Sequence, residues 1–285
     1  MATDARGELD APSQYICEHS SIRNKLLDAW PDHCGLETMI ELSADKSGVF
    51  HSDLCASIAK IGFAQSPSAH EIIQKLRPGL HPARIARKLL ALASYLQGLP
   101  LSRVHTLSEA GIDVHAVMAL AFWTAQQWVT SNERLLDSME GVECLFIESV
   151  YQNNAGNLRS AWHVLRRAML IGQIIGIHRA GATATMTCLD PETRARIHPE
   201  QLSFRLHQMD GYLTLMPGMP QSSPNKHLAD ADVLERCTPA ERMKRMDSVV
   251  GGHILQRNET RLYDSGTTLM TEQMLQRSAA CVSTS

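Results

Sequence analysis

The stretch GNLRSAWHVLRRAMLIGQIIGIHRAG, residues 156–181, decides the fold class. Trp162, Leu165, Met169, Gly172 and Gly176 follow one another at three- and four-residue steps, and Ala161, Leu165, Ala168, Gly172 and Ile175 trace the adjoining row. This is the spacing of a helix with one broad packing face. Ala168, Gly172 and Gly176 leave that face without bulk at four-residue intervals, although each glycine costs about 1 kcal/mol of helix propensity relative to alanine. The pattern predicts that a neighbouring helix approaches closely. Immediately upstream, GVECLFIESVYQNN reads as a partner helix, with the joint at Asn153 to Asn157.

The same period runs outward in both directions. Ile22, Leu26, Leu27 and Trp30 hold helical spacing up to Pro31, and a second helix begins near Gly35. In RIARKLLALASYLQGLP, Ile85, Leu89, Leu92, Ala93 and Leu96 form one stripe, with Gly98 and Pro100 as stop signals. From Asp113 to Asn132 the stripe is Val117, Leu120, Ala121, Trp128 and Val129. After His178 comes a Gly/Ala/Thr-rich loop, then a helix carrying Leu202, Leu206, Met209, Leu213 and Met216, ended by Pro217, Gly218 and Pro220. A polar turn leads to TPAERMKRMDSVVGGHILQRNE, where Thr238 and Glu241 have the form of a capping box. No strand alternation competes with these helices. The expected architecture is all-α, a helical bundle or array of antiparallel helix pairs over residues 21–260. Residues 1–20 are expected to be a disordered polar tail, and residues 261–285 a poorly structured one.

Composition agrees with this and excludes several functions. Of 285 residues, 44% are hydrophobic but only 5% aromatic, so the apolar mass is of helix-favouring types. A net charge of -3 and a pI near 6.5 provide no positive field to gather phosphates. Neither a secretory leader nor a membrane-spanning run is legible. Seven cysteines (Cys17, Cys34, Cys55, Cys144, Cys188, Cys237 and Cys281) stand far apart with no C-x-x-C pair, which reads as free thiols and not a zinc site.

Gly156, Asn157, Arg159, Ala161, Trp162, Arg166, Ala168, Gly176, His178 and Arg179 together resemble the signature of the fungal-specific transcription factor domain, the middle homology region of fungal binuclear zinc-cluster regulators. The downstream Asp210, with Met209 before it and Gly218 and Pro220 in the following turn, is similar to the next landmark of that family. The resemblance implies a helical domain that modulates transcription by RNA polymerase II in the nucleus, of a specialised-metabolism or catabolic gene set. It also implies partners: the transcription machinery or a DNA-binding protein, a small-molecule effector, and a second copy in a homodimer. The family reads DNA through a C-x2-C-x6-C zinc cluster, and nothing of that form precedes Ile22. Direct DNA contact does not carry over, and zinc is expected only with a separate cluster module. The family domain also runs on beyond the position reached at Ser285, so a bundle truncated there is expected to expose an apolar face.

The remaining constellations have plain readings. His198 with His207, and His163 with His178, lack the i, i+4 spacing of a H-E-x-x-H helix and are assigned to surface or capping roles. Arg159, Arg166, Arg167 and Arg179 read as a solvated, ion-paired face, with an anion-binding patch as the alternative. Trp123, Trp128 and Trp162 read as core at helical spacing, with the wall of an effector pocket as the alternative. Met209, Met216 and Met219 suggest an adaptable packing surface. No G-x-S-x-G elbow, phosphate-cradling loop or dinucleotide fingerprint is present, so catalysis is not expected. The competing reading is a tetratricopeptide-like scaffold, for which residues 151–179 supply one repeat where about three are needed.

Overall fold

The structure, a computed structural model, describes residues 11–43, 79–179, 186–196, 199–222, 226–259 and 265–283. The first ten residues of the expected N-terminal tail, the loop after His178 from Ala180 on, Cys55 and His198 lie outside the described residues. Every regular element among them is helical, as expected for an all-α chain. In order these are α1 (Ala11–Asp28), α2 (His33–Ser43), α3 (Pro82–Gln97), α4 (Leu101–Glu109), α5 (Val114–Ala125) and α6 (Met139–Asn154). Then come α7 (Leu158–Ile175), α8 (Pro191–Arg196), α9 (Pro199–Leu215), α10 (Ala231–Glu235), α11 (Pro239–Glu259) and α12 (Ser265–Ser283).

Helix α6 is the centre. Every residue from Met139 to Val150 is buried, which requires a neighbour on all sides. The turn Ala155–Asn157 folds α7 back along one side, and Ser149 Oγ donates to the Ala161 carbonyl at 2.8 Å, fixing the antiparallel pair. Helix α3 covers another side, and the Cys144 thiol reaches the Ala83 carbonyl at 3.2 Å. Gly141 makes the tightest approach, since a Cβ there would lie 2.2 Å from the Leu136 carbonyl oxygen. Outside this centre α7 packs on α9, α9 on α11, and α11 on α12. A second cluster under α2 and α4 contains Leu36, Met39, Leu92, Leu96, Leu107 and Val114. Stacked tetratricopeptide units would touch only sequence neighbours, whereas α6 packs against α3 across two intervening helices.

Several expectations are corrected. Residues 265–283 form a helix, α12, instead of a poorly structured tail. Among its described side chains the buried ones are Thr271 and Ser278, with Met274 half-buried, so apolar periodicity could not reveal them. Helix α1 begins at Ala11, inside the stretch read as a disordered tail. Its anchors are Ile22 and Leu26, and adding turns to an anchored helix requires no new nucleus. In α5 the buried row is Val114, Ala121, Phe122 and Ala125, while Leu120 and Trp123 are 54% and 60% exposed. Phe122 stacks on Tyr151 of α6 at 4.1 Å and so rotates α5 away from the expected phase. Trp128, within a π-helical turn at Gln126–Thr130, is half-buried beneath Lys25 at 3.4 Å. Gly176 belongs to no small-residue stripe: it ends α7 in the left-handed conformation (φ 84°), which favours glycine.

Candidate functional site

Of the residues singled out by the sequence, Arg159, Ala161, Trp162, Arg166 and Ala168 lie along α7, Gly156, Asn157, Gly176, His178 and Arg179 lie at its two ends, and Asp210, Gly218 and Pro220 lie in α9 and the turn after it. Gly156 takes φ 80° in the α6–α7 turn, and Asn157 Nδ2 donates to Gln152 Oε1 at 2.9 Å, closing that turn. Ala161 and Ala168 are fully buried against α6 and the core, whereas Arg159, His178 and Arg179 are exposed.

Arg166 joins the two landmarks. Its guanidinium lies 4.7 Å over the Trp162 ring, donates to the Pro220 carbonyl through an Nη, and brings Nε within 2.9 Å of Asp210 Oδ1. The Nε–H does not point at that oxygen, so this approach is an ion pair and not an aligned hydrogen bond. Asp210 is 1% exposed, and its second oxygen accepts from the Ser222 amide at 3.2 Å and hydroxyl at 2.6 Å. The buried carboxylate has two hydrogen-bond donors on Oδ2 and only the charge of Arg166 beside Oδ1. One node thus fastens α7, α9 and the turn after α9.

Arg167 turns the other way. It donates to the Thr130 carbonyl at 2.7 Å and holds the π-helical turn, from which Gln126 Nε2 donates to Glu148 Oε1 at 2.8 Å. Burial pushes the Glu148 carboxyl above its ordinary range, opposed by the Thr130 and Gln126 hydrogen bonds and the Arg167 charge. Arg166 and Arg167 are therefore both internal ties, and the four arginines do not form one anion-binding patch.

The C-terminal end of α7 borders a half-open cleft of about 320 Å³. Its lining is Met169, Gln173, Ile177 and His178 from α7 and its cap, with Ser203, Leu206 and His207 from α9. Met169, Ile177 and Leu206 form a buried floor, while Gln173 and His178 are exposed at the rim. The floor depends on Gly172, because a Cβ there would lie 2.6 Å from Ile177 Cδ1 and displace that side chain. His207 Nδ1 lies 2.7 Å from the Ser203 carbonyl. A carbonyl only accepts, so Nδ1 carries the proton. The tryptophans considered as pocket walls do not line this cleft, and of its lining only His178 belongs to the sequence signature. The others were unreadable because the cleft arises where two helices 25 or more residues apart diverge. Among the described residues, no group of three or more His, Cys, Asp or Glu side chains could hold a metal ion, and no helix is long and apolar enough to cross a membrane.

No family model matches the chain, and no solved structure does. Curated proteins do. The chain is 31% identical over 242 residues to the dehydrocurvularin biosynthesis regulator of Alternaria cinerariae, a match covering 85% of this chain and 31% of that protein. It is 32% identical over 289 aligned residues to transcription factor eupR of Phoma sp, covering 95% of this chain and 58% of the relative. It is also 32% identical over 190 residues to transcription factor sdnS of Sordaria araneosa, covering 64% of this chain and 24% of the relative. The chain thus spans between about a quarter and somewhat over half the length of these relatives, and over that span it is similar to fungal transcription factors and biosynthesis regulators.

Proposed function

We propose that this chain is the regulatory helical region of a fungal transcription factor, acting in the nucleus on a specialised-metabolism gene set. The observation that carries this reading is that relatives named as transcription factors or biosynthesis regulators align along 64% to 95% of the chain. The Arg166 node adds support, because it gives the two sequence landmarks a shared physical task at the α7–α9 contact. On this reading DNA is contacted by another segment or a partner protein, and zinc belongs to that reader. The chain itself receives signals, from a small molecule, from the transcription machinery or from a second copy.

The test is to fuse the chain to a heterologous DNA-binding module in a fungal reporter strain. Reporter transcription is expected to differ, in either direction, from that given by the DNA-binding module alone at equal protein level. No difference would overturn the regulatory reading. In parallel, the purified chain is expected to bind random duplex weakly and with steep salt dependence. Tight, sequence-selective binding would show instead that the chain reads DNA itself.

A further inference from the structure

We infer that the α7–α9 cleft is a binding site for an uncharged, largely apolar small molecule that carries a hydroxyl group. The inference names an effector class for the regulatory reading above, but its physical basis is independent of that reading.

Three observations define the ligand. First, the floor of Met169, Ile177 and Leu206 is apolar and buried, and two of these side chains are flexible enough to adapt to a guest. Second, among the described residues no lysine, arginine, aspartate or glutamate lines the cleft, so these residues offer a carboxylate, phosphate or ammonium no permanent counter-charge. Third, the proton on His207 Nδ1 is committed to the Ser203 carbonyl, which leaves Nε2 of the neutral ring as a bare acceptor. A ligand hydroxyl satisfies that acceptor, and the Gln173 amide and the exposed His178 ring offer further donors and acceptors at the rim. A cleft of about 320 Å³ suits a molecule of drug-like size or smaller. Such a guest would touch both helices that the Arg166 node fastens, which is where a bound molecule can bias their contact.

The probe is 4-butylresorcinol, with its dimethyl ether and 4-butylbenzoate as comparisons, titrated into the full chain at about pH 8 where an imidazole is ordinarily neutral. Binding is read from the methyl NMR signals of Met169, Ile177 and Leu206. The resorcinol is expected to bind with a dissociation constant below about 1 mM, as its size permits. The ether should bind roughly fivefold more weakly for want of the hydrogen bond, and the benzoate more weakly still. Gln173→Trp changes an exposed residue, so it leaves the fold intact; it should cover the mouth and weaken binding at least about tenfold. His207→Phe should abolish the preference for the resorcinol over the ether. Absence of shifts at those three residues, binding indifferent to Gln173→Trp, or a benzoate that binds as well as the resorcinol would each overturn the proposal. Failed binding with an active reporter fusion refutes this site alone. Binding with a silent fusion refutes the regulatory reading alone.

Discussion

Helices α6 and α12 are held by different physics. Along α6 every residue from Met139 to Val150 is buried, and apolar packing on α3 and α7 does most of the holding. Helix α12 rests on α11 through Thr271, Met274 and Ser278, with Ser278 Oγ donating to Asp247 Oδ1 at 2.5 Å. Its larger apolar residues, Leu269, Met270 and Leu275, are 57%, 50% and 47% exposed. Stability in this chain is therefore graded, high at α6 and low at the α12 edge.

The largest expected effect tests the centre. Leu145→Ala, at a fully buried position of α6, should lower unfolding free energy by about 3 kcal/mol in urea titrations. A loss below about 1 kcal/mol would mean that the centre relaxes as an edge does, erasing the contrast. Arg166→Ala comes next. It leaves the Asp210 carboxylate buried with only its Ser222 donors, and the cost should be about 2 kcal/mol. Arg166→Lys should recover only part, because an ammonium cannot serve both the Asp210 and Pro220 contacts as a fork does.

The third test uses acid to weaken the centre selectively. His81 caps α3 by accepting from the Ala83 amide through Nδ1, and burial, followed by the charge of neighbouring His19, lowers its pKa from 6.5 to about 4. In the unfolded chain the ring takes up its proton near 6.5, so this contribution is complete above that pH and is lost as pH falls toward 4. After allowance for partial solvent screening it amounts to about 2 kcal/mol. His81→Asn should keep the cap and flatten this part of the pH profile, as followed by denaturation midpoints at several pH values. The smallest effect belongs to Ser278→Ala, at about 1 kcal/mol or less. It should speed amide exchange in α12 while leaving α6 protected. Equal loss of protection in both helices would make α12 part of the central cooperative unit.

What could be read in advance follows the same gradient. The α6–α7 pair, its joint and the Thr238–Glu241 capping box were legible, because apolar spacing and cap chemistry are local properties; the box forms with Glu241 Oε2 at 3.1 Å from the Thr238 amide. The phase of α5 was not legible, because the Phe122–Tyr151 stack that sets it joins residues 29 positions apart. For α12 the cause was a buried face built of threonine and serine. At the candidate site, Arg166 and Asp210 were visible as separate landmarks, but their pairing spans 44 positions and required coordinates. Gly172 was recognised as a place without bulk, yet its neighbour is Ile177 of its own cap, with Leu206 of α9 behind it at 3.7 Å.

Cys144 turns the α3–α6 contact into a clock. Its thiol is wholly buried, engages the Ala83 carbonyl, and is pushed well above the ordinary thiol range by burial, so alkylating reagents meet no thiolate while the two helices stay together. Cys17 and Cys34 are exposed and react at once. In a variant whose other six cysteines are replaced by serine, the rate of Cys144 modification therefore counts separations of α3 from α6 without denaturant.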